Sequence, residues 1–208
     1  SYLSNTQKRI AMPIMTHPGI EYIGKRVIDA VTDGDVHFEA IRAVVERYNM
    51  AACTVIMDLT VEAEAFGAKI NFPENEVPHV IERLVADEAS VSSLKVPDLT
   101  AGRLPEYLKA NQRAVAYFQD RPVLAGCIGP FSLAGRLYDM SEIMVAIYIE
   151  PDTILQLLEK CTTFLLAYCR RLKEIGVSGV FMAEPAAGLL SDEDCCTYST
   201  AFVKRIVD

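Results

Sequence analysis

The sequence predicts an α/β fold built on a parallel sheet, and two patterns carry that prediction. Four short apolar runs are spread along the 208 residues, and none of them alternates cleanly between polar and apolar residues. Continuous apolar strands are typical of parallel sheets that are covered on both faces. Segments with helical periodicity lie between the runs, and repeated alternation of strand and helix favours a parallel α/β arrangement.

The four predicted strands are Ile10–Met15, Cys53–Met57, Pro122–Ile128 and Gly179–Ala183. A plain eight-stranded α/β barrel needs about 250 residues. Four units in 208 residues would therefore form about half of such a barrel, with enlarged loops. An open sheet needs no more than these four strands, although no nucleotide-binding fingerprint follows the first of them. The residues alone leave both arrangements open.

Helical periodicity is clearest in three segments. Asp35–Asn49 and Leu104–Phe118 carry apolar residues at spacings of three and four, and Pro151–Ile175 carries one wide apolar stripe. Pro151 itself suits the first turn of that helix, and Gly176 suits its C-cap.

The remaining segments are shorter. Ala68–Phe72 alternates and is followed by a turn and by Val77–Val80, which predicts a small hairpin. Ser90–Gly102 is the most loop-like stretch, and a last helix is predicted to start near Ser191.

Composition narrows the functional classes. Lys and Arg number 20 against 28 Asp and Glu, so the net charge is −8, and no basic run stands out. Binding to nucleic acid is therefore not expected. No leader pattern and no stretch of about 18 apolar residues occurs, so no membrane association is expected. Several of the six cysteines lie in apolar runs, which indicates reduced thiols in a cytoplasmic protein.

Ionisable residues follow three of the predicted strands. His17 follows the first, Asp58 the second and Glu184 the fourth. In parallel α/β folds the chemistry gathers at the carboxyl ends of the strands. Each residue also has a plainer explanation, since Asp58 could cap a helix that begins near Thr60 and the other two could be ordinary loop residues. Their joint placement on one rim favours a functional site.

Three motifs, in this order, resemble the uroporphyrinogen decarboxylase superfamily, which includes the methylcobamide:coenzyme M methyltransferases. Asp58 is followed by Val-Glu-Ala-Glu-Ala-Phe-Gly at 61–67, then come Gly-Pro-Phe-Ser-Leu-Ala-Gly at 129–135 and Glu-Pro-Ala-Ala-Gly at 184–188. The resemblance implies a TIM-type (β/α)₈ barrel. Residues 1–208 would then be the N-terminal part of that single domain and supply about its first four βα units.

The departures from the decarboxylase pattern favour the methyltransferase branch. The resemblance places two substrate-binding arginines of the decarboxylases at Thr16 and Ile20, and a substrate tyrosine at Arg136. Pro185 stands where the decarboxylases have a serine, so of these positions only Asp58 matches. Each lost charge-assisted contact to a substrate carboxylate costs about 1.5–3 kcal/mol. The resemblance therefore implies a transferase that moves a methyl group from a methylcobamide to a thiol.

The resemblance also implies the site residues and the partners. Asp58 and Glu184 are expected to be catalytic, and the residues expected to bind substrate are His17, Phe131, Ser132 and Arg136. In full-length relatives, the resemblance implies a zinc ion that activates the thiol and is held in part by a His-x-Cys motif. No His-x-Cys occurs in this sequence, so no metal ligand is predicted here. The expected partners are a corrinoid protein and a small thiol. A half-barrel leaves open sheet edges and an apolar inner face, so it is also expected to need its other half or an oligomeric partner.

Two alternatives to a methyltransferase remain open. In a tetrapyrrole decarboxylase, Asp58 would hydrogen-bond the pyrrole N–H groups of the substrate. A truncated binding module without turnover is the other. On the functional interpretation, Asp58→Ala is expected to remove ligand binding and leave the protein folded.

Overall fold

The computed structural model describes residues 12–14 and 17–208. The first predicted strand, Ile10–Met15, lies largely outside these residues, and no strand is formed by its described part, residues 12–14. The described strands, in chain order, are β1 (Cys53–Thr54), β2 (Ile70–Asn71), β3 (His79–Val80), β4 (Val123–Ile128) and β5 (Gly179–Ala183).

The α-helices of the described residues lie before, between and after these strands. They are α1 (His17–Tyr22), α2 (Val27–Thr32), α3 (Gly34–Tyr48), α4 (Val61–Ala65), α5 (Glu88–Ser93), α6 (Leu104–Tyr117), α7 (Pro130–Tyr138), α8 (Met140–Ile149), α9 (Pro151–Ile175), α10 (Asp192–Cys195) and α11 (Ala201–Val207). A 3₁₀ turn at Pro185–Leu189 follows β5, and a π-helical turn at Cys196–Thr200 joins α10 to α11. Within the described part of the chain, no helix is long and apolar enough to cross a bilayer.

Strands β1, β4 and β5 form a parallel sheet in that order, which confirms the predicted parallel α/β arrangement. In the described residues these three strands do not close into a barrel. The ladder from the predicted strand Cys53–Met57 is shorter than expected, since β1 covers only Cys53–Thr54. On the side away from β4, the Ile56 amide donates to His37 Nε2 of α3 at 3.0 Å. Strands β2 and β3 pair antiparallel, which confirms the hairpin.

The helical layer on the sheet is made by α3, α6 and α9. The long helix α9 has the predicted bounds, with Pro151 in its first turn and Gly176 at its C-cap in the left-handed region at φ +95°. Its apolar stripe is fully buried at positions such as Phe164 and Leu165, and each such side chain contributes about 1.5–3 kcal/mol. By contrast, every residue of β5 is only half-buried, and among the described strands β5 pairs with β4 alone.

One prediction about a connection is corrected by the structure, and another connection holds helices that the sequence analysis did not delimit. The expected loop Ser90–Gly102 begins inside α5, because the Asp87 side chain accepts from the Ser90 amide at 2.8 Å in a capping box that starts a helical turn. The chain between β4 and α9 forms two helices, α7 and α8, for which the sequence analysis gave no bounds.

Candidate active site

Because the three strands are parallel, the residues that follow them lie at one end of the sheet. There, beside Ile128 at the end of β4 and Pro185 just after β5, is a cavity of about 250 Å³, which we call the mouth cavity. Its lining residues are Leu59, Ile128, Ser132, Arg136, Met140, Pro185, Ala186 and Leu189. Two of the predicted substrate-binding residues, Ser132 and Arg136, are therefore brought together.

Arg136 is the cation of this cavity. It lies on α7 and is half-buried, and no hydrogen bond or ion pair joins its guanidinium to any other described residue. Most of the other lining side chains are apolar. Arg136 also lines a neighbouring cavity of about 110 Å³ that Glu82 and Asp139 border, but it forms no ion pair with either acid. A guanidinium without a paired acid, at the wall of a mostly apolar cavity, is suited to an anionic group of a ligand.

Glu184, directly after β5, binds the first turn of α7. Its Oε1 accepts from the Phe131 amide at 2.7 Å and its Oε2 from the Ser132 amide at 3.0 Å. The Ser199 hydroxyl also donates to Oε1, at 3.3 Å. Burial raises the pKa of Glu184, and hydrogen bonds from Ser132 and Phe131 oppose that rise. A Cβ at Gly129 would overlap the carboxylate, so this approach requires glycine.

Asp58 faces a different set of groups. Oδ1 accepts from the Thr60 amide at 3.0 Å and from the Thr60 hydroxyl at 2.7 Å. Oδ2 accepts from Arg103 Nη1 at 2.6 Å and from the Tyr107 hydroxyl at 3.3 Å. Asp58 is 5% exposed and does not line the mouth cavity. Its carboxylate is thus held in a buried ion pair that joins the loop after β1 to α6.

The other two predicted substrate-binding residues lie apart from the mouth cavity. His17 is exposed at the start of α1, and that helix packs on α3. The Phe131 side chain is fully buried, so what Phe131 offers at this end of the sheet is its amide, which Glu184 binds.

Sequence reasoning missed two buried charged residues. Arg103 is 8% exposed and donates to Glu64 Oε2 at 2.5 Å, to Val31 O and to Thr60 Oγ1, both at 3.0 Å, in addition to Asp58. Glu62 is 3% exposed, and burial raises its pKa to about 7. An acid between the apolar residues of the 61–67 motif was the one signal that could have identified Glu62.

The family model for uroporphyrinogen decarboxylase (URO-D) matches residues 8–208. The chain belongs to this family. Two relatives are Methylcobamide:CoM methyltransferases MtbA, from Methanosarcina mazei (30% identical over 161 residues) and Methanosarcina acetivorans (31% over 170). In both cases 76% of this chain and 47% of the relative is covered. A uroporphyrinogen decarboxylase from Janthinobacterium is 27% identical over 169 residues, with 78% of this chain and 46% of the relative covered.

The chain spans about half the length of these relatives. A solved structure described as a methyltransferase from Methanosarcina mazei superposes with a TM-score of 0.87 at 22% identity. The superposition covers 97% of this chain and 62% of that one, which shows a shared fold.

Zinc does not fit the described residues. Within residues 12–14 and 17–208, no three His, Cys, Asp or Glu side chains lie close enough together to hold a metal ion.

Proposed function

We propose that this family member serves methyl transfer from a methylcobamide to a small anionic thiol, and that the mouth cavity binds the thiol. The observation that carries the proposal is the Arg136 guanidinium in the mouth cavity, without an acid partner among the described residues. The names of the MtbA relatives include CoM, coenzyme M, which is a short thiol that ends in a sulfonate. A planar guanidinium binds such an oxyanion through two parallel hydrogen bonds.

The size of the cavity supports a small acceptor. At about 250 Å³, the mouth cavity is smaller than the roughly 300–1,000 Å³ that is typical of small-molecule sites. A corrin macrocycle does not fit in such a space, so a corrinoid protein would have to present the methyl group from outside. We further propose that residues 1–208 are the N-terminal part of one (β/α)₈ barrel and that the reaction is cytoplasmic, which the free state of all six cysteines supports.

The proposed step is a nucleophilic substitution. The thiol would lose its proton to solvent water, its sulfur would form a bond to the methyl carbon of the substrate, and the cobalt–carbon bond would break with its electron pair left on cobalt. In this step Arg136 would hold the acid end of the acceptor, and apolar residues such as Leu59 and Met140 would keep water from its carbon chain. Glu184 would act indirectly, because it binds the amides at the start of the helix that carries Arg136.

The contacts of Asp58 support methyl transfer over tetrapyrrole decarboxylation. A decarboxylase would need this carboxylate free for pyrrole N–H groups. Here both oxygens accept from Thr60, Arg103 and Tyr107.

Calorimetric titration tests the proposal. We expect 2-mercaptoethanesulfonate to bind at least about tenfold more tightly than neutral 2-mercaptoethanol, since a charge-assisted contact contributes about 1.5–3 kcal/mol. Arg136→Met should remove this preference, whereas Arg170→Met, at an exposed arginine of α9, should retain it. Equal binding of the two thiols by the wild type, or an unchanged preference in Arg136→Met, would contradict the proposal.

A further inference from the structure

Glu62 is the buried acid that the proposed function does not use. Its Oε1 accepts from the Ile128 amide at 3.0 Å, where β4 ends and the chain turns into α7. Its Oε2 is buried and has no hydrogen-bond partner among the described residues. Glu62 also lines a second cavity of about 10 Å³, which has room for about one water molecule.

We propose that Glu62 is a positioning residue for the mouth cavity: its buried carboxyl group holds the Ile128 amide, and with it the start of α7. Ile128 itself lines the mouth cavity, and α7 carries Ser132 and Arg136. A shift of the Ile128 backbone would therefore move both the wall of the cavity and its cation.

The surroundings of Glu62 favour the neutral form. Six ionisable groups interact electrostatically with Glu62. They are Asp58 in the loop after β1, Arg103 just before α6, Tyr107 in α6, Cys127 in β4, and Tyr168 and Cys169 in α9. Asp58 raises the pKa of Glu62 and Arg103 lowers it, and these two are paired with each other. Burial is the largest influence, and an ionised Glu62 would leave a buried charge with one oxygen unpartnered.

Ionisation should therefore disturb the end of β4. The Ile128 amide hydrogen bond itself favours the ionised form, but burial outweighs it. We expect an ionised Glu62 to gain hydration by drawing water into the small cavity or by moving α4, and either change would shift the Ile128 amide. The mouth cavity should bind an anion more tightly below pH 7 than above it. That effect on the ligand rests on the proposed function, whereas the effect on the amide does not.

Nuclear magnetic resonance on the 208-residue chain separates the two effects. We expect the amide signals of Ile128 and Gly129 to shift with pH around a midpoint near 7. The shift should be absent in Glu62→Gln, which keeps an oxygen acceptor but cannot ionise, and present in Glu88→Gln, at an exposed acid of α5. The carboxyl carbon of Glu62, followed in the wild type, reports the same midpoint even if Glu62→Gln fails to fold. A midpoint near the ordinary value of about 4.3, or an unchanged amide titration in Glu62→Gln, overturns the proposal.

Binding of ethanesulfonate, whose charge is constant over this range, completes the test. The wild type should bind it severalfold more weakly at pH 8.5 than at pH 6, and Glu62→Gln should bind it equally at both. If the amide of Ile128 titrates but affinity does not change with pH, the positioning role is wrong. If ethanesulfonate binds at neither pH, the anion site of the proposed function is wrong, and the amide and carboxyl titrations decide for or against Glu62.

Discussion

Replacing Asp58 with alanine should destabilise the protein strongly, because Asp58 is one half of a buried ion pair. Its Oδ2 lies 2.6 Å from Arg103 Nη1, and the two side chains are 1% and 8% exposed. In Asp58→Ala, the Arg103 guanidinium stays buried without this carboxylate. The sequence-based expectation of an intact fold did not include that partner, which lies 45 residues away.

The expected magnitude follows from what remains around Arg103. Removing one partner of a buried pair costs about 3–5 kcal/mol. Arg103 keeps Glu64, Val31 O and Thr60 Oγ1 as acceptors, so we expect the lower end, about 3 kcal/mol. With a urea m-value of about 3 kcal/mol/M, the unfolding midpoint should fall by about 1 M.

The chain contains a matched control for the local contacts of Asp58. Asp98 Oδ1 accepts from the amide and the hydroxyl of Thr100, as Asp58 Oδ1 does from Thr60, but Asp98 is exposed. Asp98→Ala should therefore cost only about 1 kcal/mol. Asp58→Asn, which retains an oxygen acceptor for Thr60, provides a milder variant if Asp58→Ala does not fold. Equal urea midpoints for Asp58→Ala and Asp98→Ala would refute the reasoning.

Three further predictions concern pH, a helix start and a helix end. Between pH 4.5 and 7 the free energy of unfolding of the wild type should fall by about 3 kcal/mol relative to Glu62→Gln in urea titrations, because the folded-state pKa of Glu62 is raised to about 7 and the unfolded chain releases the proton first. Burial lowers the pKa of His37 to about 3, so the effect of His37 on the free energy of unfolding has the opposite sign: stability is lost as pH falls below about 6.5, where the unfolded chain binds the proton first. In Glu62→Gln, where only this effect remains of the two, a free energy of unfolding that does not fall below pH 6.5 would contradict the prediction. Glu184→Ala should lower the free energy of unfolding by about 1–2 kcal/mol, measured by thermal unfolding. Gly129→Ala should cost less in the Glu184→Ala protein than in the wild type, because the new Cβ then no longer overlaps the Glu184 carboxylate. If the two substitutions have additive costs, Gly129 and the Glu184 carboxylate are not in contact. Gly176→Ala should cost about 1 kcal/mol because of its φ of +95°, and an unchanged melting temperature would contradict that cap.

The sequence predicted those parts of the fold that rest on local pattern. Helix α9 and its Gly176 cap follow from periodicity and a glycine, and β4 and β5 follow from apolar runs. Helix α8 was missed because its residues are apolar on nearly every side, so no 3.6-residue period emerges.

The candidate site was predictable only in part, because its contacts are long-range. The rim position of Asp58 and Glu184 follows from strand ends, but what each carboxylate binds does not. Asp58 binds an arginine from another unit, and Glu184 binds amides 52 and 53 residues earlier in the chain. The catalytic roles assigned to both acids stay predictions.

The capping of α7 by Glu184 has a consequence for synthesis on the ribosome. The amide of Phe131 leaves the ribosome 53 residues before the carboxylate that binds it. At about 5–20 residues per second, the interval is roughly 3–10 s. During that time the nascent α7 lacks this cap and its first amides are open to water or to a chaperone. The helix acquires its final start only when β5 has docked on β4, so the wall that carries Arg136 is among the last parts of the described structure to form.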